Sequence, residues 1–573
     1  MGMTPGPEAA LLARVERWMA DDPDGADRAE LAALVAAADI AGLAERFGGG
    51  LRFGTAGLRA PLGAGPGRMN RATVRQASAG LGAYLLAEVP AAAERGVVVG
   101  RDARHGSAAL AEETAAVLAG AGLRVLAVRD VVPTPVLAFA VRHHGAAAGV
   151  MITASHNPGA DNGYKVYWGD GAQIVPPVDA GIAAAMAEVG PLAAVPVAGP
   201  TGTLGDELVD AYLDAVVPAA LHGAAREVRV AYTPMHGVGG DVLRRAFARA
   251  GFAPPAVVAA QGAPDPDFPT VARPNPEEPG ALDLLVAEAT AVGADVALAN
   301  DPDADRLGVA IPDGDGWRRL HGDEIGGLLA DHLLGHTPDV SGCVLAASVA
   351  SSTLLARMAE ATGATFVATL TGFKWIARAA GPGGDRRLLL GYEEALGYAV
   401  TDVVADKDGI SAALALAELA AETRAAGASL TGRLDDIARR YGLHATDQWT
   451  IALPAGGEGV GEVDRVMAAL RDAPPAELLG CPVVAVDDLA TGWRRRPDGT
   501  REPVGLPPSD VVVWHARDAT RVVVRPSGTE PKLKVYLQVV VPVGADGDVG
   551  SARATAGARL GRLCDEVREV MLR

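Results

Sequence analysis

The chain has 573 residues, 49% hydrophobic and 21% charged, with 51 Lys and Arg against 70 Asp and Glu. That length exceeds one ordinary core and calls for roughly two to four domains. The net charge of −19 disfavours nucleic acid or an anionic membrane as a general partner, so any anion bound must be met by a local cluster of basic groups.

In chain order, Glu8, Arg14, Glu16 and Arg17 among alanines and leucines predict a long amphipathic N-terminal helix and not a signal peptide. Arg52-Phe53-Gly54-Thr55-Ala56-Gly57-Leu58-Arg59 then places two arginines around a Gly-rich bend. Strand-like runs alternate with alanine-rich helical patterns over most of the remaining chain, the mark of α/β layers with largely parallel strands. Val97-Val98-Val99 leads into Gly100-Arg101-Asp102, Val296 to Ala299 into Asn300-Asp301, and Leu388 to Leu390 into Gly391-Tyr392-Glu393-Glu394. Ligand sites of open α/β sheets lie beyond the carboxyl ends of strands, so these ends predict three comparable α/β units facing a shared cleft.

Residues 186–206, with Pro191, Pro196 and Pro200, read as an excursion before a helix at about 206–218. A strand at 228–232 opens the second unit, and Gly314-Asp315-Gly316 predicts a hairpin turn near the start of a third. After Tyr441, strand patterns at 511–514, 521–524 and 533–541 precede a helix at about 550–572, which together predict a smaller α+β domain. The expected division is 1–205, 206–315, 316–441 and 442–573. Cys343, Cys481 and Cys564 are widely spaced, without a CxxC pair, and are expected as buried thiols in a reducing compartment. The apolar stretch Ala412 to Ala421 is broken by Glu418 and too short for a bilayer. A cytoplasmic protein without a membrane partner is expected.

Ser155, in Thr153-Ala154-Ser155-His156-Asn157-Pro158, follows the apolar run Gly149 to Ile152 and is placed to present a hydroxyl at a strand end. It lacks a Gly-x-Ser-x-Gly elbow; the plain alternative is a turn before proline. Asp301-Pro302-Asp303-Ala304-Asp305-Arg306 sets carboxylates at alternate positions, which in an extended loop converge on one point. Their mutual repulsion is removed by a hard divalent cation. A haloacid-dehalogenase-type phosphatase, with Asp301 as nucleophile and Asp303 as acid, is the rival reading; the third carboxylate at Asp305 argues against it. Arg525-Pro526-Ser527-Gly528-Thr529-Glu530-Pro531 combines a guanidinium, hydroxyls and a glycine, the parts of a phosphate nest. In Gly391 to Gly397, Glu393 can accept hydrogen bonds from sugar hydroxyls. Lys165 would return beside Ser155 if the chain turned as a hairpin at Asn162-Gly163. No Gly-Lys pair occurs, which excludes a P-loop.

Taken in order, the Arg52–Arg59, Thr153–Pro158, Asp301–Arg306, Gly391–Gly397 and Arg525–Pro531 segments resemble the α-D-phosphohexomutase superfamily, the phosphoglucomutases and phosphomannomutases. The resemblance spans nearly the whole chain. It implies three similar mixed-sheet α/β domains plus a smaller C-terminal domain around one cleft. It also implies a phosphoserine at Ser155, and one Mg²⁺ held by Asp301, Asp303, Asp305 and the seryl group. Lys165, Arg59 and His156 would then be catalytic neighbours of the serine. Glu393, Thr371, Gly372, Lys374 and Arg306 would contact substrate, and Arg525, Ser527, Gly528 and Thr529 would hold the phosphate that is not transferred. Three aspartates and a phosphoserine sum to roughly −5, which calls for the metal, Arg59 and Arg306.

The implied reaction interconverts a sugar 1-phosphate and 6-phosphate through a bound bisphosphate, with a glucose 1,6-bisphosphate-type activator. Ala395, where relatives often carry serine, with Thr371–Lys374 and Asp406-Lys407-Asp408-Gly409, is similar to the branch of bacterial α-phosphoglucomutases and phosphopentomutase-like members. Glucose phosphate is expected first, mannose phosphate second and pentose phosphate third, in a monomer or dimer. A metal-dependent phosphatase and a non-catalytic sugar-phosphate binder stay open as other classes.

Overall fold

Val97–Arg101 and Ala148–Ile152 are short apolar runs bounded by polar turns, and both are buried almost throughout, as strands covered by helices on each face must be. They belong to a computed structural model that describes residues 6–51, 53, 57–381, 384–452, 457–526 and 532–571. The chain forms two compact units. The first runs to Ala310 and takes in Gly397–Glu418; the second is Ile311–Leu396 with the chain from Leu419 onward.

The first unit opens with helices Pro7–Asp21, Gly25–Ala36 and Ile40–Phe47, the first of which holds Glu8, Arg14, Glu16 and Arg17, where an amphipathic helix is expected. Pro23 interrupts the run, and Asp24 and Asp39 cap the next two helices through their carboxylates, which receive Ala26 N–H and Gly42 N–H. These helices close a core of their own around Leu11, Val15, Leu31, Leu43 and Phe47.

A six-stranded sheet follows, built from β1 (Leu58–Pro61), β2 (Val97–Arg101), β3 (Val125–Val128), β4 (Ala148–Ile152), β5 (Asp161–Trp168) and β6 (Gly202–Leu204), in the order β1-β5-β4-β2-β3-β6. β2 pairs in parallel with β3 and β4, and β3 with β6, whereas β5 runs antiparallel to both β1 and β4. Val74, Leu81 and Leu85 of helix Arg71–Glu88 and Leu110 and Leu118 of helix Ser107–Gly120 pack on Val97, Val99, Val125 and Val150. The proline-rich excursion is not wholly irregular. Once past Pro200 the chain is free to donate again, and Gly202–Leu204 pairs with β3 at the sheet edge.

Helix Asp206–Ala220 leads to a second sheet with β7 (Val230–Thr233), β8 (Ala256–Val257), β9 (Val296–Ala299) and β10 (Gly308–Asp313) in the order β8-β7-β9-β10. β7 is parallel to β8 and β9, and β10 turns at Gly314 into β11 (Gly316–Arg319). In the second unit β12 (Cys343–Ser348) pairs in parallel with β13 (Thr365–Thr369) and β14 (Arg387–Glu393). The chain returns to the first unit at β15 (Gly397–Ala399).

The C-terminal region is an eight-stranded sheet of β16 (Leu443–Ala452), β17 (Glu477–Leu478), β18 (Cys481–Asp488), β19 (Trp493–Arg495), β20 (Arg501–Pro503), β21 (Val512–Ala516), β22 (Arg521–Pro526) and β23 (Lys532–Val541). Helix Val549–Met571 covers it, with Leu563 and Val567 against Val535, Leu537 and Val539. The architecture is three α/β domains with mixed sheets and a C-terminal α+β domain. Only Cys343 among the cysteines is buried; Cys481 and Cys564 lie on partly exposed faces, which corrects the expectation of three buried thiols. No helix among the described residues is long and apolar enough to cross a membrane.

Candidate active site

β4 and β5 form an antiparallel hairpin with Met151 opposite Lys165 and Ile152 opposite Tyr164, and the loop that joins them carries Ser155. The turn is therefore residues 153–160, not Asn162-Gly163, which lies inside β5. Gly163 serves a different purpose. A Cβ there would come within 2.5 Å of Thr153 O and 2.8 Å of Leu58 O, so only glycine lets β1 and the serine loop close on β5 from both sides.

Ser155 has φ +54°, a left-handed conformation that a non-glycine residue holds only when its surroundings fix it. Arg104 does much of the fixing. Its guanidinium donates to three carbonyls of this loop and to the first of β5: Ser155 O at 2.7 Å, Asn157 O at 2.5 Å, Pro158 O at 2.7 Å and Asp161 O at 3.2 Å. Asp102 lies 3.4 Å from Arg104 Nε, and the guanidinium stacks over Phe268. Thr153 Oγ1 receives the Ser155 N–H at 2.9 Å.

The aspartate segment follows β9 as a tight turn and not as an extended loop. Ala304 N–H donates to Asp301 O at 2.9 Å, and Ala304 takes φ +54°. The carboxylates still converge: one oxygen from each of Asp301, Asp303 and Asp305 lies within 4.8 Å of the others, and all three side chains are fully buried. Ser155 Oγ donates to Asp301 Oδ2 at 3.0 Å and is 3.1 Å from His156 Nδ1. Lys165 Nζ reaches Asp303 Oδ2 at 2.6 Å and Asp305 Oδ2 at 3.0 Å. Lys407, on which the sequence placed no site role, approaches Asp305 Oδ2 at 3.0 Å. Thr134 Oγ1 donates to Asp303 Oδ2, and Arg306 N–H to Asp301 Oδ1. Arg306 also bonds Glu277, and Arg59 donates to Asn157 Oδ1 at 3.3 Å.

Burial and the neighbouring Asp305 and Asp303 push the Asp301 carboxyl well above its ordinary range. Burial would raise Asp305 too, but Lys165, Lys407 and Arg306 outweigh it and hold that carboxylate below the usual range. Asp303 is likewise held down, with Lys165 and Thr134 overcoming burial and Asp305. Burial, with Arg306 and Arg59 nearby, keeps His156 well below its ordinary value and hence neutral. Burial also lowers Arg59, against the pull of Asp303 and Asp305. Asp303 Oδ1 and Asp305 Oδ1 are buried without a hydrogen-bond partner among the described residues. Three converging carboxylates, two of them with an oxygen to spare, are the donor set a hard divalent cation takes. The residues present fit Mg²⁺.

The remaining candidates lie in the second unit. Glu393 is the last residue of β14, beyond the strand end expected at Leu390. Its neighbour Glu394 accepts Ser348 Oγ at 2.8 Å and Ser351 Oγ at 3.0 Å, so it holds the loop down. Thr371 and Gly372 precede the short helix Phe373–Ile376, where Lys374 is buried with Nζ 5.9 Å from the Trp375 ring centre. Arg525, near the end of β22, donates to Tyr536 Oη at 3.2 Å and to Pro526 O at 3.4 Å. Ser527, Gly528 and Thr529, like Arg52, fall outside the described residues.

The chain matches the four successive domains of phosphoglucomutase/phosphomannomutase: α/β/α domain I over residues 50–191, domain II over 210–314, domain III over 321–441 and the C-terminal domain over 482–542. It is 41% identical over 477 residues to a probable phosphomannomutase of Haemophilus influenzae, covering 82% of this chain and 92% of that one. The chain belongs to the phosphoglucomutase/phosphomannomutase family. A probable phosphoribomutase of Schizosaccharomyces pombe is 38% identical over 91% of this chain and 92% of its own length. The crystal structure of a putative phosphomannomutase from Thermus thermophilus superposes with a TM-score of 0.67 at 26% identity, covering 91% of this chain and 99% of that one. Members of the family are phosphomutases, isomerases that transfer phosphate within their substrate, and their superfamily is Mg-dependent, with a phosphoserine and a bisphosphate intermediate. Ser155 falls in the match to domain I, the aspartates in domain II, Glu393 in domain III and Arg525 in the C-terminal domain.

Proposed function

We propose that this phosphomutase interconverts the 1-phosphate and 6-phosphate of a hexose, glucose before mannose, with Ser155 as its phosphate carrier. The observation that carries the reading is Ser155 Oγ, 3.0 Å from Asp301 Oδ2 at the edge of the buried carboxylate triad. Asp301, Asp303, Asp305 and the seryl group are the residues that would hold one Mg²⁺; when bound, the ion offsets charge on the group being transferred. The free hydroxyl of a sugar monophosphate attacks the phosphorus on Ser155. The Oγ–P bond breaks, a sugar O–P bond forms, and the hydroxyl proton passes to a base. The bound bisphosphate then reorients and returns its other phosphoryl group to Ser155.

Lys165, between Asp303 and Asp305, is the proposed acid/base. His156, neutral beside Oγ, orients the hydroxyl, and Arg59 and Arg306 meet phosphoryl oxygens. Glu393 takes sugar hydroxyls, with Thr371, Gly372 and Lys374 as further contacts. Arg525, Ser527, Gly528 and Thr529 take the phosphate at rest. The four-part division at about 205, 315 and 441 is proposed on the same grounds.

Ser155→Ala tests the reading. Turnover should fall by at least about 10³-fold, and the added mass of one phosphate should vanish from the native protein. Retained turnover with release of inorganic phosphate would instead make this a phosphatase acting through Asp301. A second reading, a pentose phosphate substrate, is favoured by the phosphoribomutase relative, whose similarity covers 91% of the chain against 82% for the phosphomannomutase. Rates on glucose, mannose and ribose 1-phosphates, each with a bisphosphate activator, separate the two.

A further inference from the structure

A second group of metal-ligating side chains lies in the second unit, away from the aspartates in sequence and in chemistry. Helix Gly322–Gly335 ends with His332 in its last turn and His336 at its C-cap, an i, i+4 pair that shares one helix face. Glu422, in the last turns of helix Gly409–Ala425, faces both imidazoles. Its Oε1 lies 3.0 Å from His336 Nε2, and its Oε2 lies 3.5 Å from His332 Nδ1. The ligand atoms of all three residues fall within 4.8 Å of one another.

The tautomer of His336 follows from its other nitrogen. Nδ1 is 3.0 Å from His332 O, a carbonyl that can only accept, so Nδ1 carries the proton. In the neutral ring Nε2 then aims a lone pair at a carboxylate oxygen, an arrangement that needs a cation between them or a second proton on the ring. An imidazole N–H anchored on a backbone carbonyl, with the opposite nitrogen turned towards the ion, is how protein-bound metals orient their histidines. With metal–nitrogen and metal–oxygen bonds near 2.0–2.2 Å, a tetrahedral site separates its ligand atoms by about 3.4 Å. Each imidazole stands close to that distance from one oxygen of the carboxylate, 3.0 Å from Oε1 and 3.5 Å from Oε2.

We propose that His332, His336 and Glu422 form a binding site for a divalent transition metal of the zinc class, clamping helix Gly322–Gly335 to the end of helix Gly409–Ala425. Two imidazoles and one carboxylate select zinc, cobalt or nickel over magnesium, which takes oxygen donors. The site is therefore distinct from the all-carboxylate triad. His332 is buried, whereas the side chains of His336 and Glu422 are 28% and 29% exposed, which leaves an entry path and room for water as fourth ligand. The pair His332-x-x-x-His336 is visible in the sequence, but its third ligand is 86 residues beyond His336 and becomes apparent only in the fold.

The test uses the full chain, stripped with a chelator and then given excess Mg²⁺ to fill the aspartate site. Titration with Co²⁺ should produce the visible ligand-field bands of a four-coordinate nitrogen-bearing site at one equivalent, and Zn²⁺ should displace them. Zn²⁺ should also raise the thermal midpoint of the wild type. His336→Ala and Glu422→Gln, both on partly exposed positions, should weaken Co²⁺ binding by at least about tenfold and abolish the Zn²⁺-dependent rise. Three results would overturn the proposal. One is bands that survive both substitutions; another is bands that disappear on Asp303→Asn instead. The third is no uptake beyond Mg²⁺, which would leave His336 and Glu422 as a plain ion pair.

Discussion

Arg104, buried in the first unit, and Arg525, partly buried in the second, are guanidiniums beside loops that the sequence marks for chemistry, yet they spend their donors differently. Arg104 gives its terminal nitrogens to four carbonyls of the serine loop and the start of β5, while its Nε makes no hydrogen bond among the described residues and lies 3.4 Å from Asp102. Among the described residues Arg525 makes one bond to a tyrosine hydroxyl and one long bond to a carbonyl, and its Nε is likewise without a partner. Burial works against the charge of Arg525, but Tyr536, Glu394 and Glu393 outweigh it and hold its pKa up. A guanidinium whose donors are committed to backbone is scaffold. One whose terminal nitrogens make only these two bonds of 3.2 and 3.4 Å among the described residues has donors to offer an anion.

The contrast predicts opposite failures. Arg104→Met takes the guanidinium from the loop carbonyls and from the buried Asp102 carboxylate, which keeps the Ser107 hydroxyl and a backbone N–H. Breaking a buried pair costs about 3–5 kcal/mol, and a misplaced Ser155 should lower kcat by about 10²-fold. Arg104→Lys should not rescue it, because one ammonium cannot span four carbonyls. Arg525→Met should do the reverse: KM for sugar phosphate should rise about 10–100-fold, the loss of charge-assisted bonds worth about 1.5–3 kcal/mol, while the thermal midpoint barely moves. Equal destabilisation by the two substitutions, with KM unchanged at Arg525, would erase the distinction.

That difference could not be read from the chain. The strands were legible where an apolar run met a clean turn: β9 falls on the expected Val296–Ala299, the hairpin turns at Gly314, and the closing helix spans Val549–Met571. Prolines hid β6, and an alanine-rich composition hid the breaks between the first three helices. At the site, the aspartates and the serine declared themselves by residue type and spacing. Their supports did not. Arg104 sits three residues beyond a strand end, where a solvated arginine is the ordinary outcome. Lys407 reaches Asp305 from 102 positions away in sequence, a contact that no local spacing encodes. Even the aspartates reached one point by a different route, through a turn with a left-handed Ala304.

The smallest expected effect extends the contrast to a group that is buried uncharged. His444, at the start of β16, sits between two partners: Nε2–H faces Tyr441 O at 3.4 Å, and Nδ1 is 3.2 Å from Thr353 Oγ1. Thr353 Oγ1 accepts Gln538 Nε2 at 2.9 Å, so its own proton is available for Nδ1, which must stay unprotonated to receive it. Burial, with the cations Arg357 and Arg521 nearby, pulls His444 from 6.5 down to about 4, against a favourable bond to Tyr441. A folded-state value below the unfolded one contributes stability that is complete above pH 6.5 and is lost as pH falls towards 4. At about 1.36 kcal/mol per unit the whole contribution is about 3 kcal/mol, of which about 2 kcal/mol is lost between pH 7 and pH 5. Denaturant unfolding of the wild type should show that loss, and His444→Gln, though weaker at pH 7, should fall less steeply over the same interval. Parallel pH profiles would mean that His444 is already free to take up its proton in the folded chain. A shallower profile in the variant would mean that the second unit relies on a largely buried neutral ring as the first relies on a buried cation bonded to backbone carbonyls.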